Sequence, residues 1–571
     1  MSSSEFGPDE PPQAPRDDAG DEGDQPAGVR IPRANVRWEH ADAPPRLSRA
    51  RLRLLRRRLE VSASTAEHAP EAAGEVEVPP SRLEAGTVRA LAAVVGAEHV
   101  TTDAAERFAH AGGMSYADLL RRREAAAVAA PDAVVRPASH GEVLEVLRVC
   151  EREELAVVPY GGGTSVVGGV GVPTRPNVTV EFGRLAELVE VDETSQTATM
   201  QPGLTGPEAE RLLAERGYTL GHFPQSWERS TVGGWVVTRS AGQLSTGMGR
   251  IDDLVVAMRV ATPRGTLTVG HGPRSAAGPD LRELFLGSEG ALGLLTEVTL
   301  RVRPVPSVRR YLGWSFRDLA SGLAACRTLR QAGIAPDVLR LSDEEETEVT
   351  FQLAGRAGTA MRGYQRLRRQ SGGCLLITGW EGTSEAIERS RQRHASALVK
   401  AAGGVPLGAK VGAAWHESRY DAPHLRDALL DVGVLAETLE TATSWTALPE
   451  LHEAVTSTVR RVLTDLGTPP IVMAHVSHAY PTGASLYVTV LAKRLDDDPV
   501  EQWWAAKRAA GDVIAEHGAT ITHHHAVGTD HLPWLTDEIG QLGVDILTAV
   551  KHTVDPAGIL NPGVLVPPAE D

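Results

Sequence analysis

Two groups of residues in this chain are of types that could do chemistry, and they lie far apart in the sequence. The first is the run Pro159-Tyr160-Gly161-Gly162-Gly163-Thr164-Ser165-Val166-Val167-Gly168-Gly169-Val170, in which five of the last ten residues are glycine. Glycine lets the backbone reach positive φ and approach a ligand closely. Consecutive N–H groups in such a turn make a concave nest for phosphate oxygens. The run fits neither G-x-G-x-x-G nor G-x-x-x-x-G-K-[ST], since no lysine follows it. A diphosphate held by backbone is the expectation. The second group is Tyr487, His523-His524-His525, Arg340 and Arg426. Side chains of adjacent residues diverge in a strand or loop, so three neighbouring histidines rarely share one ion; no metal is expected. They read instead as hydrogen-bond donors or acid–base groups. A tyrosine, with a pKa of about 10, serves as a base only beside positive charge or donors, which histidines and an arginine can supply. The arginines suit a phosphate or carboxylate through their bidentate fork. Each has a structural alternative: Tyr487 packed within the strand-like Leu486-Tyr487-Val488-Thr489-Val490, and Arg340 paired with Asp343 or with Glu344-Glu345-Glu346.

Three further turns rich in small residues extend the first group. Residues 224–235 carry Gln225, Ser226, Ser230, Thr231 and Gly233. Residues 238–242 carry Thr238, Arg239, Ser240 and Ala241. Residues 287–293 carry Glu289, Gly290, Ala291, Leu292 and Gly293, with Leu295 just beyond. All are places where backbone can touch a flat cofactor.

The elements that must position these residues follow from hydrophobic period and turn chemistry. The run 155–158 reads as a buried strand leading into the glycine loop. Ser139, with Glu142 three residues on, caps an amphipathic helix over 143–151. Short strands are predicted at 133–135, 177–180, 188–191, 197–200 and 296–302, a hairpin at 254–269, and a helix at 207–216. Residues 87–126 read as helical. Further on, strands at 311–316, 338–341, 471–475 and 485–491 alternate with helices at 319–332, 384–402, 449–466 and 499–517. The expected organisation is an acidic disordered tail (1–35), a helical region (36–130), a cofactor domain (131–306), a substrate domain (307–540) and a C-terminal segment returning to the cofactor domain (541–571). The mixture of strands and helices is too irregular for a doubly wound sheet and gives an α+β class.

A net charge of −16 argues against nucleic-acid binding. Cys150, Cys326 and Cys374 are far apart and show no metal or redox spacing. No apolar run is long enough to span a membrane, and a cytoplasmic location is expected. Residues 47–59, LSRARLRLLRRRL, form a basic helix candidate that could touch an anionic membrane surface. Its narrow apolar face fits better with one leucine stripe packed on its own domain.

With these turns in this order, 131–306 resembles the FAD-binding, PCMH-type domain of the vanillyl-alcohol oxidase superfamily. Relatives that carry flavin covalently through this loop have His where Thr164 stands, so the resemblance implies non-covalent FAD. The D-2-hydroxy-acid dehydrogenase branch has H-x-G-D-G-N-x-H and E-H-G-x-G segments that bind metal. Here the G-D-G-N core is absent from 478–487, Tyr487 replaces a ligand His, and His524 replaces the Glu. Over roughly 100–565 the chain resembles the alkyldihydroxyacetonephosphate synthase family instead. Tyr480, Gly483, Ala484 and Tyr487 match its Y-x-x-G-A-x-x-Y segment. His523, His524, His525, Val527 and Gly528 match H-H-H-x-V-G. Arg426, Asp427 and Leu430 match a helix that is followed by a turn with Glu437, Thr438, Glu440 and Thr441. Arg340, Leu341 and Asp343 match R-L-x-D. Two departures stand out: Ala526 replaces a usual Gly, and Thr438 a common Ser. The resemblance implies exchange of the acyl group of acyl-dihydroxyacetone phosphate for a fatty alcohol. In it Tyr487 assists removal of a proton α to the ketone, with His524 and His525 as acid–base groups. Arg426, Arg340, Thr438 and His523 would contact the lipid substrate, in a homodimer. The alternative is an FAD oxidoreductase acting on a 2-hydroxy acid or related alcohol.

Overall fold

The computed structural model describes residues 28–33, 36–38, 47–61, 68–69 and 74–567. Most of the expected acidic tail lies outside them. The end of the span read as disordered, 1–35, does hold structure: Val29–Pro32 is a strand antiparallel to Glu75–Val78. The expected helix over 87–126 is broken. Gly96, at φ +94°, ends helix Ala85–Val95, and Val100–Thr101 joins a sheet before helices Ala104–Ala109 and Tyr116–Glu124 begin.

Two sheets build the cofactor region. In the first, Val100–Thr101, Ala133–Val135, Asn177–Glu181 and Ala156–Tyr160 lie in that spatial order, the last three mutually parallel. Strand Ala156–Tyr160 delivers the glycine loop at its C-terminal end. Helix His140–Arg152 covers this sheet; Ser139 caps it by accepting the Glu142 N–H, as expected. In the second sheet, Gly265–Val269, Val255–Thr262, Leu294–Arg301, Thr197–Met200 and Leu188–Asp192 are antiparallel neighbours.

The third sheet carries the other group of residues. Its seven antiparallel strands run Val405–Gly408, Val308–Phe316, Cys374–Gly382, Val338–Ser342, Ile471–Val476, Gly483–Lys493, Val434–Ser444. Helices Leu319–Gln331, Glu385–Ala401, Leu448–Asp465 and Pro499–Glu516 pack on one face around a core that includes Leu341, Val472, Ala474, Leu486, Val488 and Val490. Side chains alternate between faces along a strand, so Tyr487 and His475 point to the opposite face. Residues 437–441, expected as a turn, lie in mid-strand within Val434–Ser444. Strand Cys374–Gly382 is buried along almost its whole length, so it lacks the alternation that would have marked it.

The basic helix forms over Arg49–Arg58. Leu54, Leu55 and Leu59 are buried in a cluster with Val349, Leu429, Val434 and Ile471. Its leucine face is thus covered by the protein itself. No helix among the described residues is long and apolar enough to cross a membrane.

Candidate functional site

The glycine loop is shaped by what it touches. A Cβ on Gly162 would lie 1.9 Å from the Arg229 carbonyl oxygen, and one on Gly161 2.3 Å from Thr231 Oγ1. Gly163, at φ +63°, sits over the Tyr160 ring and hydroxyl. A Cβ on Gly290 would strike Pro159, and one on Gly169 the Glu289 carboxyl. The expected turns 224–235 and 287–293 therefore converge on one loop. Among the described residues the N–H groups of Gly162, Gly163, Thr164 and Ser165 donate to nothing, while Ser165 Oγ accepts from Gly169. Unpaired consecutive donors at close-packed glycines are what a diphosphate needs, so the chain fits FAD.

Many side chains expected at the cofactor are engaged within the protein. Ser230 Oγ bridges Trp235 Nε1 and the Ser226 carbonyl. Thr231 caps helix Val232–Val237. Thr238 bonds the Gly234 carbonyl, Ser240 meets His222, and Gln225 donates to the Arg419 carbonyl. Arg239 is held by Asp252 at 3.2 Å and Glu283 at 2.6 Å. Ala291, Leu292 and Leu295 are core residues of the second sheet. Gly233 packs on Pro202 and Ala241 is buried. What these segments offer a cofactor is main chain and shape.

Strand register assembles the second group. Glu440 lies opposite Tyr487, and Tyr487 opposite His475, so three neighbouring strands present them in a row on one face. The Tyr487 ring stacks on His475 at 4.9 Å and on His524 at 5.8 Å, and meets His525 edge-on at 5.7 Å. The loop that brings the histidines in is gripped by the Glu440 carboxylate. It accepts the N–H groups of His523 (2.7 Å), His524 (3.2 Å) and His525 (3.0 Å) and the Thr522 hydroxyl (2.6 Å), and lies 3.3 Å from His524 Nδ1. Burial opposes ionisation of Glu440, yet its hydrogen bond and charge interaction with the His524 imidazole, helped by His525 and His523, hold its pKa well below the ordinary carboxylate range.

Of the charge or donors expected around Tyr487, His523 and His525 do not supply charge. Burial is the main cause that pushes His523 and His525 down to about 3 and His478 well below its ordinary value. Burial likewise raises Tyr487 to about 12, with Thr438 and Arg426 pulling against Glu437 and Glu440. At neutral pH the phenol is protonated and the His523 and His525 imidazoles are neutral. Arg426 is the cation that favours phenolate; it is partly buried, 3.7 Å from Glu437. Arg340 is engaged elsewhere, 2.5 Å from Glu346 and hydrogen-bonded to His475. It pairs within the acidic run rather than with Asp343, and acts on the row through His475.

The sequence reading left out Glu440, His475 and His478 as site residues. Glu440 was legible as a matched motif position, but a turn assignment hid its face. His478, His523 and His524 bring ring nitrogens within 4.8 Å of one another, a spacing that would suit a metal. Both nitrogens of His523 are engaged, however: Nε2 with the Tyr480 hydroxyl at 2.7 Å and Nδ1 with His524 Nδ1 at 3.0 Å. The group is a hydrogen-bonded chain from Tyr480 to Glu440. Arg250 fastens it to the cofactor region by donating to the His523 carbonyl at 2.6 Å.

Residues 131–270 match a family model described as an FAD binding domain, and 305–565 match the C-terminal domain of FAD linked oxidases. The alkyldihydroxyacetonephosphate synthase of Dictyostelium discoideum is 34% identical over 504 residues, which cover 86% of this chain and 82% of that protein. A solved alkyldihydroxyacetonephosphate synthase superposes with a TM-score of 0.77 at 30% identity, covering 90% of this chain and 92% of the other. The structure of p-cresol methylhydroxylase, 17% identical with a TM-score of 0.65 over 85% of this chain and 98% of its own, shares the fold. With a two-domain FAD-oxidase fold, FAD as cofactor and this degree of identity over most of its length, the chain belongs to the alkyldihydroxyacetonephosphate synthase family.

Proposed function

We propose that the protein exchanges the acyl group of acyl-dihydroxyacetone phosphate for a fatty alcohol, the activity named for its relatives carried to this chain. The observation that carries the proposal is the row Glu440, Tyr487, His475 with His524 seated on Glu440. A carboxylate beside an imidazole fixes its orientation and stabilises the cation formed when the ring takes a proton. His524 then removes the proton α to the ketone, while the protonated Tyr487 donates a hydrogen bond to developing negative charge on oxygen. Arg426, with Thr438 nearby on strand Val434–Ser444, attracts the phosphate. Non-covalent FAD, held through residues 159–165, supplies an electron-accepting ring when bound.

The net change needs no oxidant. One C–O bond to the carboxylate breaks and that carboxylate leaves with the electron pair. One C–O bond to the alcohol oxygen forms, and the alcohol proton is released. Purified holoenzyme given acyl-dihydroxyacetone phosphate and labelled fatty alcohol should incorporate the label one-for-one with fatty acid released, leaving the flavin oxidised. Lasting anaerobic bleaching by a 2-hydroxy acid, with no label incorporated, would establish the oxidoreductase reading instead.

A further inference from the structure

Arg122 and Arg123 are neighbours on helix Tyr116–Glu124, and both are buried, 1% and 0% exposed. Their surroundings differ. Arg123 faces Asp427 at 3.5 Å and is hydrogen-bonded to Asp431. Arg122 has no carboxylate within 4 Å among the described residues. Its Nη2 donates to the Gly113 carbonyl and lies 3.9 Å from Met114 Sδ, and its Nε has no partner. Asp118, whose field reaches it, is already taken by Arg121 and the Gly113 N–H. Arg229 and Arg426 are near enough to repel it. A guanidinium taken out of water without a counter-charge is strongly disfavoured, so a fold that retains one implies an anion that completes it.

The place of that anion follows from the backbone. Arg122 grips Gly113, and the next N–H, of Met114, donates to the Ser165 carbonyl at 2.6 Å. A Cβ on Gly113 would strike the same carbonyl. Three residues earlier in the loop the Arg229 carbonyl abuts Gly162. The Arg229 guanidinium donates to the Arg37 and Trp38 carbonyls and lies 5.4 Å over the Trp38 ring; it too has no carboxylate within 4 Å among the described residues. The peptide that Arg122 grips and the main chain of Arg229 thus both meet the loop whose own N–H groups are unpaired, and the two guanidiniums lie within electrostatic reach of each other.

We propose that Arg122, assisted by Arg229, is an anion site against the glycine loop that takes the diphosphate of the cofactor. The inference rests on FAD as the cofactor and not on the exchange reaction, so failure of the exchange assay leaves it standing. The test removes FAD from purified holoenzyme and titrates the apoprotein with FAD and with riboflavin, read by flavin fluorescence. Arg122→Met should weaken FAD at least tenfold and riboflavin less than threefold, because riboflavin has no phosphate. Arg122→Lys should recover most of the FAD affinity, and Arg229→Met should lose a smaller factor, again for FAD alone. Equal losses for the two ligands would make Arg122 a packing residue and overturn the proposal. So would unchanged FAD affinity with a raised KM for the phosphorylated substrate. If Arg122→Met does not fold, Arg122→Gln takes its place in the same titration, and an FAD affinity that is unchanged, or that falls no more than the riboflavin affinity, overturns the proposal as well.

Discussion

Glu440 makes the three histidines into a site. Its one buried carboxylate satisfies three consecutive N–H groups and a hydroxyl, and also faces His524 Nδ1. Glu440→Gln replaces one acceptor oxygen with a donor amide aimed at other donors. We expect kcat to fall by about 10²–10⁴-fold, the range for disabling an acid–base group, while flavin absorbance is retained; kcat within a factor of three of the parent would remove Glu440 from the mechanism. The same hydrogen bonds bear on metal dependence. Because both nitrogens of His523 are engaged, dialysis against a chelator should leave activity unchanged, and a loss restored by added zinc would contradict this. At this scale the residue types were legible: Tyr487 and His523–His525 are named by type and spacing. Their charge states were not. Whether an imidazole is neutral depends on burial, which arises from strands and helices distant in sequence.

Elements were legible where a local pattern decides them. The hairpin Val255–Thr262 with Gly265–Val269 and the capped helix His140–Arg152 follow from turn chemistry and period. The turn that the resemblance implies at 437–441 is strand Val434–Ser444 instead, and its buried Glu437 and Glu440 interrupt the apolar pattern that would mark a strand. The loop after the histidines carries a visible cost. Ala526 has φ +73° and is buried, a conformation that disfavours any residue with a Cβ. Two residues on, Gly528 at φ +55° could not take a Cβ, which would lie 1.9 Å from the Val167 carbonyl. Ala526→Gly should therefore stabilise the fold by about 1 kcal/mol, seen as a raised thermal midpoint of the holoenzyme with turnover preserved. A lowered midpoint would show that the buried methyl contributes more through packing than the backbone loses to strain.

Across the whole molecule, segments far apart in sequence meet at Glu289, and no local pattern announces it. Its Oε2 accepts the Gly528 N–H at 2.7 Å, and its carboxyl lies against Gly169. Asn561, near the C-terminus, donates to the carbonyls of both Gly169 and Glu289. Glycine loop, histidine loop and C-terminal segment are thus joined at one residue. The other carboxyl oxygen of Glu289 is buried and unpaired, and burial, the largest cause, aided by Asp530, raises its pKa to about 8. In the unfolded chain a glutamate releases its proton near pH 4.3. Between these values the folded protein holds a proton that the unfolded chain has lost, so the contribution of Glu289 to stability declines as pH rises from about 4.3 to about 8, then levels off. Glu289→Gln cannot titrate and keeps the shape of the protonated acid. The thermal midpoint of the parent should fall relative to Glu289→Gln between pH 5 and pH 8, with a constant difference above pH 8. Parallel curves from pH 5 to pH 9 would mean that Glu289 ionises normally, and that the junction is held by Asn561 and the backbone alone.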